Sequence, residues 1–197
     1  MKFTIPEGVT ENPDLDHVTE NSMVFVNGDD VQIDFILQCS GYNYGYPFLS
    51  PDCKIVLEDK GNRVTTLYKH CINIEYPSMF LVGVPFYVGS LNLIDIHAAF
   101  VASVMAGDTV LPAKGEMEQY LWEDFEKYLK ETHYHKLGPR VFELMDSMLE
   151  IIGKPKVPEG YRKLFVEVLR YFHTESLTYR DMKFEMTDET AKVIKTI

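Results

Sequence analysis

The chain has 197 residues, with 19 Lys and Arg against 30 Asp and Glu, a formal net charge of −11. That length suits one large domain or a domain with an appendage, and a hydrophobic content of 46% excludes disorder throughout. Lys and Arg form no basic block, which argues against a nucleic-acid partner, and no apolar run is long enough to span a membrane.

The 12 glycines exclude more. No two stand two positions apart, so there is no G-x-G-x-x-G dinucleotide loop, and none is followed by Lys-Ser or Lys-Thr as in a P-loop. Cys39, Cys53 and Cys71 are isolated, as expected for buried thiols in a reducing, cytoplasmic compartment.

Residues 1–20 are polar and read as an extended lead-in. Met23 to Val26 is a short β-favouring run, and Asn27-Gly28 after it signals a hairpin. Val31, Ile33, Phe35, Leu37 and Cys39 then alternate with Gln32, Asp34, Ile36 and Gln38, which predicts a strand ending at Ser40-Gly41. Tyr42 to Leu49 is an aromatic loop whose default role is packing. Lys54 to Glu58 and Val64 to Tyr68 predict two strands around Asp59-Lys60-Gly61-Asn62. Ser78 to Pro85 is apolar almost throughout, as expected of a strand covered on both faces.

Leu91 to Ala106 predicts an interior helix closed by Gly107. Three amphipathic helices follow. Their faces carry Met117, Tyr120, Leu121, Tyr128 and Leu129, then Val141 to Ile152, then Tyr161 to Phe172. Glu123/Lys127 and Glu126/Lys130 stand at i,i+4. From Leu177 the tail is polar and aperiodic.

The chemistry-bearing residues are sparse. His133 and His135, two apart on a helix, would point to different faces, so an exposed helix end is expected and a shared metal is not. His97 reads as a satisfied core histidine, and Glu116, Glu118, Glu123, Asp124 and Glu126 as a solvated helix face. No serine sits in a G-x-S-x-G elbow. The strand-turn-helix at Leu81 to Ala106 would leave free backbone N–H groups at a helix start, which attract anionic or electron-rich ligand edges. Ordinary β-α packing explains the same pattern.

Three segments together carry more. They are Val31 to Tyr42 with Tyr46-Pro-Phe-Leu49, then Leu67-Tyr-Lys-His70, then Pro77-Ser-Met-Phe-Leu-Val-Gly83. In this order they resemble the flavin-containing monooxygenase family, and Leu177-Thr-Tyr-Arg-Asp181 resembles that family's C-terminal end. The loops and tail are most similar to the insect branch. The resemblance covers nearly all of this chain but only the second half of a family member.

The resemblance implies an α/β to α+β fold, the C-terminal part of a two-dinucleotide-binding-domain flavoprotein. Short strands would be followed by a helical extension. Residues 1–50 would close the NADP domain and carry the linker with a β-hairpin. Residues 51–112 would be part of the FAD domain with its flavin-facing helix, and 113–197 the helical extension. It implies NADPH reduction of FAD, oxygen activation on the flavin and oxygenation of a soft nucleophilic N or S in a small molecule, an N,N-dimethylaniline-type monooxygenase.

No catalytic side chain and no metal are implied. Cofactor contacts would be Ser40, Gly41 and Tyr42, matching the family's interdomain Thr-Gly-Tyr; Tyr87, where many members carry Gln; Asn92; and Arg180, whose guanidinium suits a phosphate. Asp95 matches an acidic position of the family. The glycine loops for FAD and NADP are absent, so the expectation is a fragment with little activity alone. The alternative is a non-catalytic module pairing with a separate N-terminal half or a full-length relative; a homo-oligomer is a further possible assembly. The apolar anchor of microsomal members, which sit on the endoplasmic reticulum membrane, is absent from Ala191 to Ile197.

Overall fold

The structure, a computed structural model, describes residues 5–87, 89–128 and 133–194. Leu129 and Lys130 of the expected helix face, and the last residues of the tail, lie outside them. The chain forms two compact units, Met1–Tyr42 with Leu169–Met182, and Asn43–Val168 with Lys183–Ile197.

The first unit carries an antiparallel sheet of β1 (Leu15–Val18), β2 (Ser22–Phe25) and β3 (Asp30–Gln32) in that order. β1 falls in the stretch expected to be a plain lead-in. It is held by a tight turn in which the Thr19 N–H donates to the Ser22 carbonyl at 2.9 Å. The Asn27-Gly28 hairpin forms as predicted, with Gly28 at φ +89° and the Asp29 N–H donating to Asn27 Oδ1 at 3.2 Å. The strand predicted to run to Cys39 stops at Gln32. Beyond it, Phe35, Leu37 and Tyr42 are fully exposed. Alternation supplies an apolar face, but a strand also needs a backbone neighbour, and no described strand pairs with residues 33–42.

In the second unit β4 (Leu57–Glu58) and β5 (Arg63–Val64) pair antiparallel around the predicted turn, where Asp59, Lys60 and Gly61 all have positive φ. β6 (Leu67–Tyr68) and β7 (Ile72–Asn73) form the next hairpin, buried at every position. Val64, Leu67 and Val84 make a core cluster against which Tyr44, Tyr46, Ile55 and Leu81 pack. The Tyr44 hydroxyl donates to the Val84 carbonyl at 2.6 Å, so the aromatic loop is a packing element here.

Ser78 to Pro85 is not a continuous strand. It makes one bridge, Ile72 to Phe80, and turns at Gly83, where φ is +86°. Val82 is exposed, so the covering layers that an apolar run implies are not both present among the described residues.

α1 (Ser90–Ala106) ends at Gly107, φ +80°, as predicted. It is not interior all round: Leu93, His97, Phe100 and Val101 are buried, while Leu91 and Met105 are exposed. α2 (Lys114–Tyr128) packs on β6, and α3 (Val141–Ile151) packs on α1. α3 buries Val141, Leu144, Met145 and Met148 on the predicted face. α4 (Glu159–Thr174) runs from the second unit into the first.

The aperiodic tail contains a hairpin, β8 (Lys183–Met186) with β9 (Ala191–Ile194), closed by Thr187 and Thr190. The Gly160 N–H donates to the Asp188 carbonyl of its turn at 2.8 Å. A Cβ at Gly160 would lie 1.8 Å from the Thr187 carbonyl oxygen, so only glycine fits there.

Candidate functional site

The segment after Gly83 meets the loop before α3. The Phe86 N–H donates to the His135 carbonyl at 3.0 Å, the Leu137 N–H to the Phe86 carbonyl at 3.2 Å, and the Gly138 N–H to the Tyr87 carbonyl at 3.0 Å. This parallel ladder sets the position from which α1 starts. Tyr87 has φ +57°, a conformation costly for a non-glycine residue, and Lys136 Nζ stands 5.0 Å from its ring centre.

The six expected cofactor contacts fall in both units. Ser40, Gly41 and Tyr42 are exposed in irregular chain of the first unit, with Ser40 Oγ accepting from Gln38 Nε2 at 3.1 Å. Arg180, in the same unit, is exposed in a short turn with its Nε donating to Tyr179 Oη at 3.2 Å. In the second unit Tyr87 is half-buried and Asn92 exposed on the first turn of α1. Gly41 has φ +91° and open space where a Cβ would stand. None of the six is buried, and no enclosed cradle forms around those of either unit among the described residues.

The buried chemistry lies elsewhere in the second unit, where sequence reasoning put a solvated face and a helix end. Among the described residues His133 and His135 are not on a helix: they lie in the irregular stretch before α3. His133 is half-buried against Phe86, and His135 is fully buried. His135 Nε2 accepts from the Val64 N–H at 2.9 Å, and its Nδ1 is 2.9 Å from His70 Nδ1.

These contacts fix the tautomers. An Nε2 that accepts carries no proton, so neutral His135 is protonated at Nδ1 and donates to His70 Nδ1. His70 then carries its proton at Nε2, facing Asp124 Oδ2 at 3.7 Å. Asp124 also accepts from the Tyr134 hydroxyl at 2.6 Å.

The electrostatics agree with neutral histidines. Burial, then the neighbouring His70, pulls His135 down to about 2. Burial pulls His70 down as well, against the opposing pull of Asp124. Burial alone would raise Asp124, but His70 and Tyr134 outweigh it and hold the carboxyl below its usual range. His97 is buried as expected, and no side chain among the described residues hydrogen-bonds either ring nitrogen. Burial and then His70 pull it down to about 4, although the Lys69 backbone favours the charged form.

His70 owes its position to a strained turn. The Cys71 N–H donates to the Tyr68 carbonyl at 3.1 Å, and both central residues, Lys69 and His70, have positive φ, at +51° and +57°. That is the φ signature of a type I′ turn, which favours Asn and Gly. Lys and His there carry a backbone penalty of roughly 1–2 kcal/mol each. No simple sequence signal marks this turn.

A family profile described as flavin-binding monooxygenase-like matches residues 4–166. Senecionine N-oxygenase of Tyria jacobaeae is 27% identical over 94% of this chain and 41% of its own length. The Arabidopsis thaliana flavin-containing monooxygenase FMO GS-OX1 is 31% identical over 76% of this chain and 34% of its own. Among solved structures, S-allyl-L-cysteine S-oxygenase from Allium sativum superposes with a TM-score of 0.68 at 26% identity, over 86% of this chain and 39% of that one. Tmm from Pelagibacter sp. strain HTCC7211 superposes with a TM-score of 0.80 at 23% identity, over 99% and 44%. The chain therefore spans about two-fifths of the length of the relatives it matches.

Proposed function

The chain belongs to the flavin-binding monooxygenase-like family, and from that premise we propose that it forms the C-terminal part of an NADPH- and FAD-dependent monooxygenase acting on soft nucleophilic N or S atoms of small molecules. The observation that carries this reading is the family match over residues 4–166, joined by the structural likeness to an S-oxygenase.

FAD reduced by NADPH supplies the oxygen chemistry when bound. The chain's own residues orient and shield. In this reading the Phe86–Tyr87 ladder holds the start of α1 against a flavin edge, Asn92 offers an amide there, and Arg180 offers a guanidinium to a phosphate. Ser40, Gly41 and Tyr42 form the link between the NADP and FAD domains, with residues 51–112 on the flavin side and 113–197 as the helical extension. The phosphate-cradling glycine loops come from polypeptide outside this sequence.

A second reading, a non-catalytic module that pairs with a separate N-terminal half or a full-length relative, draws support from the full exposure of Phe35, Leu37 and Tyr42. One pair of measurements tests both. The purified chain alone is expected to retain no flavin and to consume no NADPH. Co-expression with a polypeptide carrying the family's glycine loops is expected to give a yellow complex that oxygenates a thioether or tertiary amine. Flavin-dependent turnover by the chain alone would remove the first reading's division of labour. A co-expressed complex that forms but never binds flavin would favour the second.

A further inference from the structure

His135 ties several parts of the second unit together. Its Nε2 accepts from the Val64 N–H of β5 at 2.9 Å, its Nδ1 donates to His70 Nδ1 at 2.9 Å, and its carbonyl accepts from the Phe86 N–H at 3.0 Å. The Tyr44 ring meets the imidazole edge-on, with ring centres 5.2 Å apart, and the Tyr44 hydroxyl donates to the Val84 carbonyl at 2.6 Å. The segment 84–87, which leads into α1, is therefore tied to His135 directly at Phe86 and through Tyr44 at Val84.

Neither ring of the pair has a free site for a second proton. His135 carries its proton at Nδ1 and uses Nε2 as an acceptor; His70 carries its proton at Nε2 and uses Nδ1 as an acceptor. A proton at His135 Nε2 would oppose the Val64 N–H, and one at His70 Nδ1 would oppose the N–H of His135. Both rings are buried, so water reaches a broken bond only if the chain around it opens.

The surroundings do not welcome an imidazolium in place. Burial disfavours charge on both rings. Beyond that, Asp124 of α2 favours a charged His70, while Arg140 ahead of α3 and Lys69 of the same turn oppose it. Asp124 is already engaged by the Tyr134 hydroxyl, and the Tyr134 ring stacks on His70 with centres 5.0 Å apart. His97 of α1 faces His70 with the same sign of charge when protonated. Around His135, the charges of His70, Arg140 and Arg63 all oppose its own. At the solvent rim Lys127 and Glu143 pair at 2.8 Å, and Glu123 accepts from Gln119 at 2.7 Å.

We propose that the His70–His135 pair is a proton-sensitive latch: it holds the segment 84–87 and the start of α1 while both rings are neutral, and proton uptake by either ring opens that segment ahead of the rest of the unit. In the proposed function this segment stands at the flavin edge, but the latch is a property of the fold and does not rest on that reading. Once opened, each ring titrates near the ordinary histidine value of about 6.5, and each adds up to about a tenfold rise in the open population per pH unit below it.

The test follows amide hydrogen exchange of the full chain by NMR between pH 7 and pH 5, expressed as protection relative to the unstructured chain. The Val64, Phe86, Leu137 and Gly138 amides report the latch, and those of Met145 and Met148 in α3 report the unit as a whole. The four latch amides are expected to be less protected than the two in α3 and to lose about ten- to a hundredfold of their protection per pH unit below pH 6.5. His70→Asn keeps an acceptor near the place of Nδ1 and suits the positive φ of the turn, but it does not titrate. It is expected to make the loss shallower by about tenfold per pH unit. The proposal is overturned if the four amides are as protected as Met145 and Met148 and move with them, if their protection does not change with pH, or if His70→Asn loses it as steeply as the parent. Should His70→Asn fail to fold, the ring ¹⁵N shifts of the parent replace the variant: protons at His135 Nδ1 and His70 Nε2 support the latch, and any other pair of tautomers overturns it.

Discussion

His135 donates through Nδ1 to Nδ1 of His70 across 2.9 Å, and that bond exists only while Nδ1 of His70 carries no proton. A proton added to His70 at Nδ1 would set two N–H groups against each other. His70, His97 and His135 all have lowered pKa values in the folded chain, so the unfolded chain binds their protons first. The stability they lend is present above the ordinary histidine value of about 6.5 and drains away as pH falls below it. Urea denaturation is expected to show a falling midpoint from pH 7 to pH 5. The slope should approach about 1 kcal/mol per pH unit for each histidine that stays neutral.

His97 separates from the other two because no side chain among the described residues hydrogen-bonds its ring. His97→Leu replaces a buried ring without a side-chain partner among the described residues by an apolar side chain of similar size. The expected effect is a gain of about 1 kcal/mol at neutral pH and a shallower loss on acidification. Urea curves at two pH values check both parts.

Tyr134→Phe removes the 2.6 Å bond to Asp124 and leaves that carboxylate with His70 at 3.7 Å. A hydrogen bond to a charged group is worth roughly 1.5–3 kcal/mol, so a loss in that range is expected. The Asp124 carboxyl should also rise toward its ordinary value, since one of the groups holding it down is gone. Carboxylate chemical shifts followed through an acid titration report this directly.

Gly160→Ala forces a methyl group against the Thr187 backbone. Backbone cannot yield as a side-chain end can, so the β8–β9 hairpin should detach from α4 at a cost on the order of 3 kcal/mol. Limited proteolysis should then cut near Thr187 well before the rest of the second unit. Gly89→Ala makes a useful contrast. Its Cβ would lie 2.6 Å from the Tyr161 hydroxyl, a side-chain end, and Tyr161→Phe should restore most of the loss.

Cys39 is exposed and Cys71 buried, with burial pushing the Cys71 thiol up to about 12. A thiol reagent at pH 8 should modify Cys39 rapidly and Cys71 only on unfolding.

Much of the architecture was legible in the residues themselves. The Asn27-Gly28 and Asp59–Asn62 turns, the Gly107 stop and the buried face of α3 each follow from local patterns. Those patterns are enforced by steric limits or by periodicity. Strand extents were not legible, because Val31 to Cys39 and Ser78 to Pro85 have strand composition yet depend on neighbours that local sequence does not reveal. The cofactor positions came from family likeness alone. The buried network was invisible for another reason. Asp124 shares a helix with solvated glutamates, and His135 sits beside a half-buried His133, so only the long-range fold distinguishes them.

The Lys69–His70 turn has a consequence for how the protein tolerates mutation. Backbone comfort and side-chain duty select opposite residues at these two adjacent positions. A library screened for thermal survival alone should drift toward Asn-Gly, which relaxes the turn. The bonds from Lys69 to Ser147 and between His70 and His135 weigh against that drift, and the residues recovered would measure what the turn gives up for those contacts.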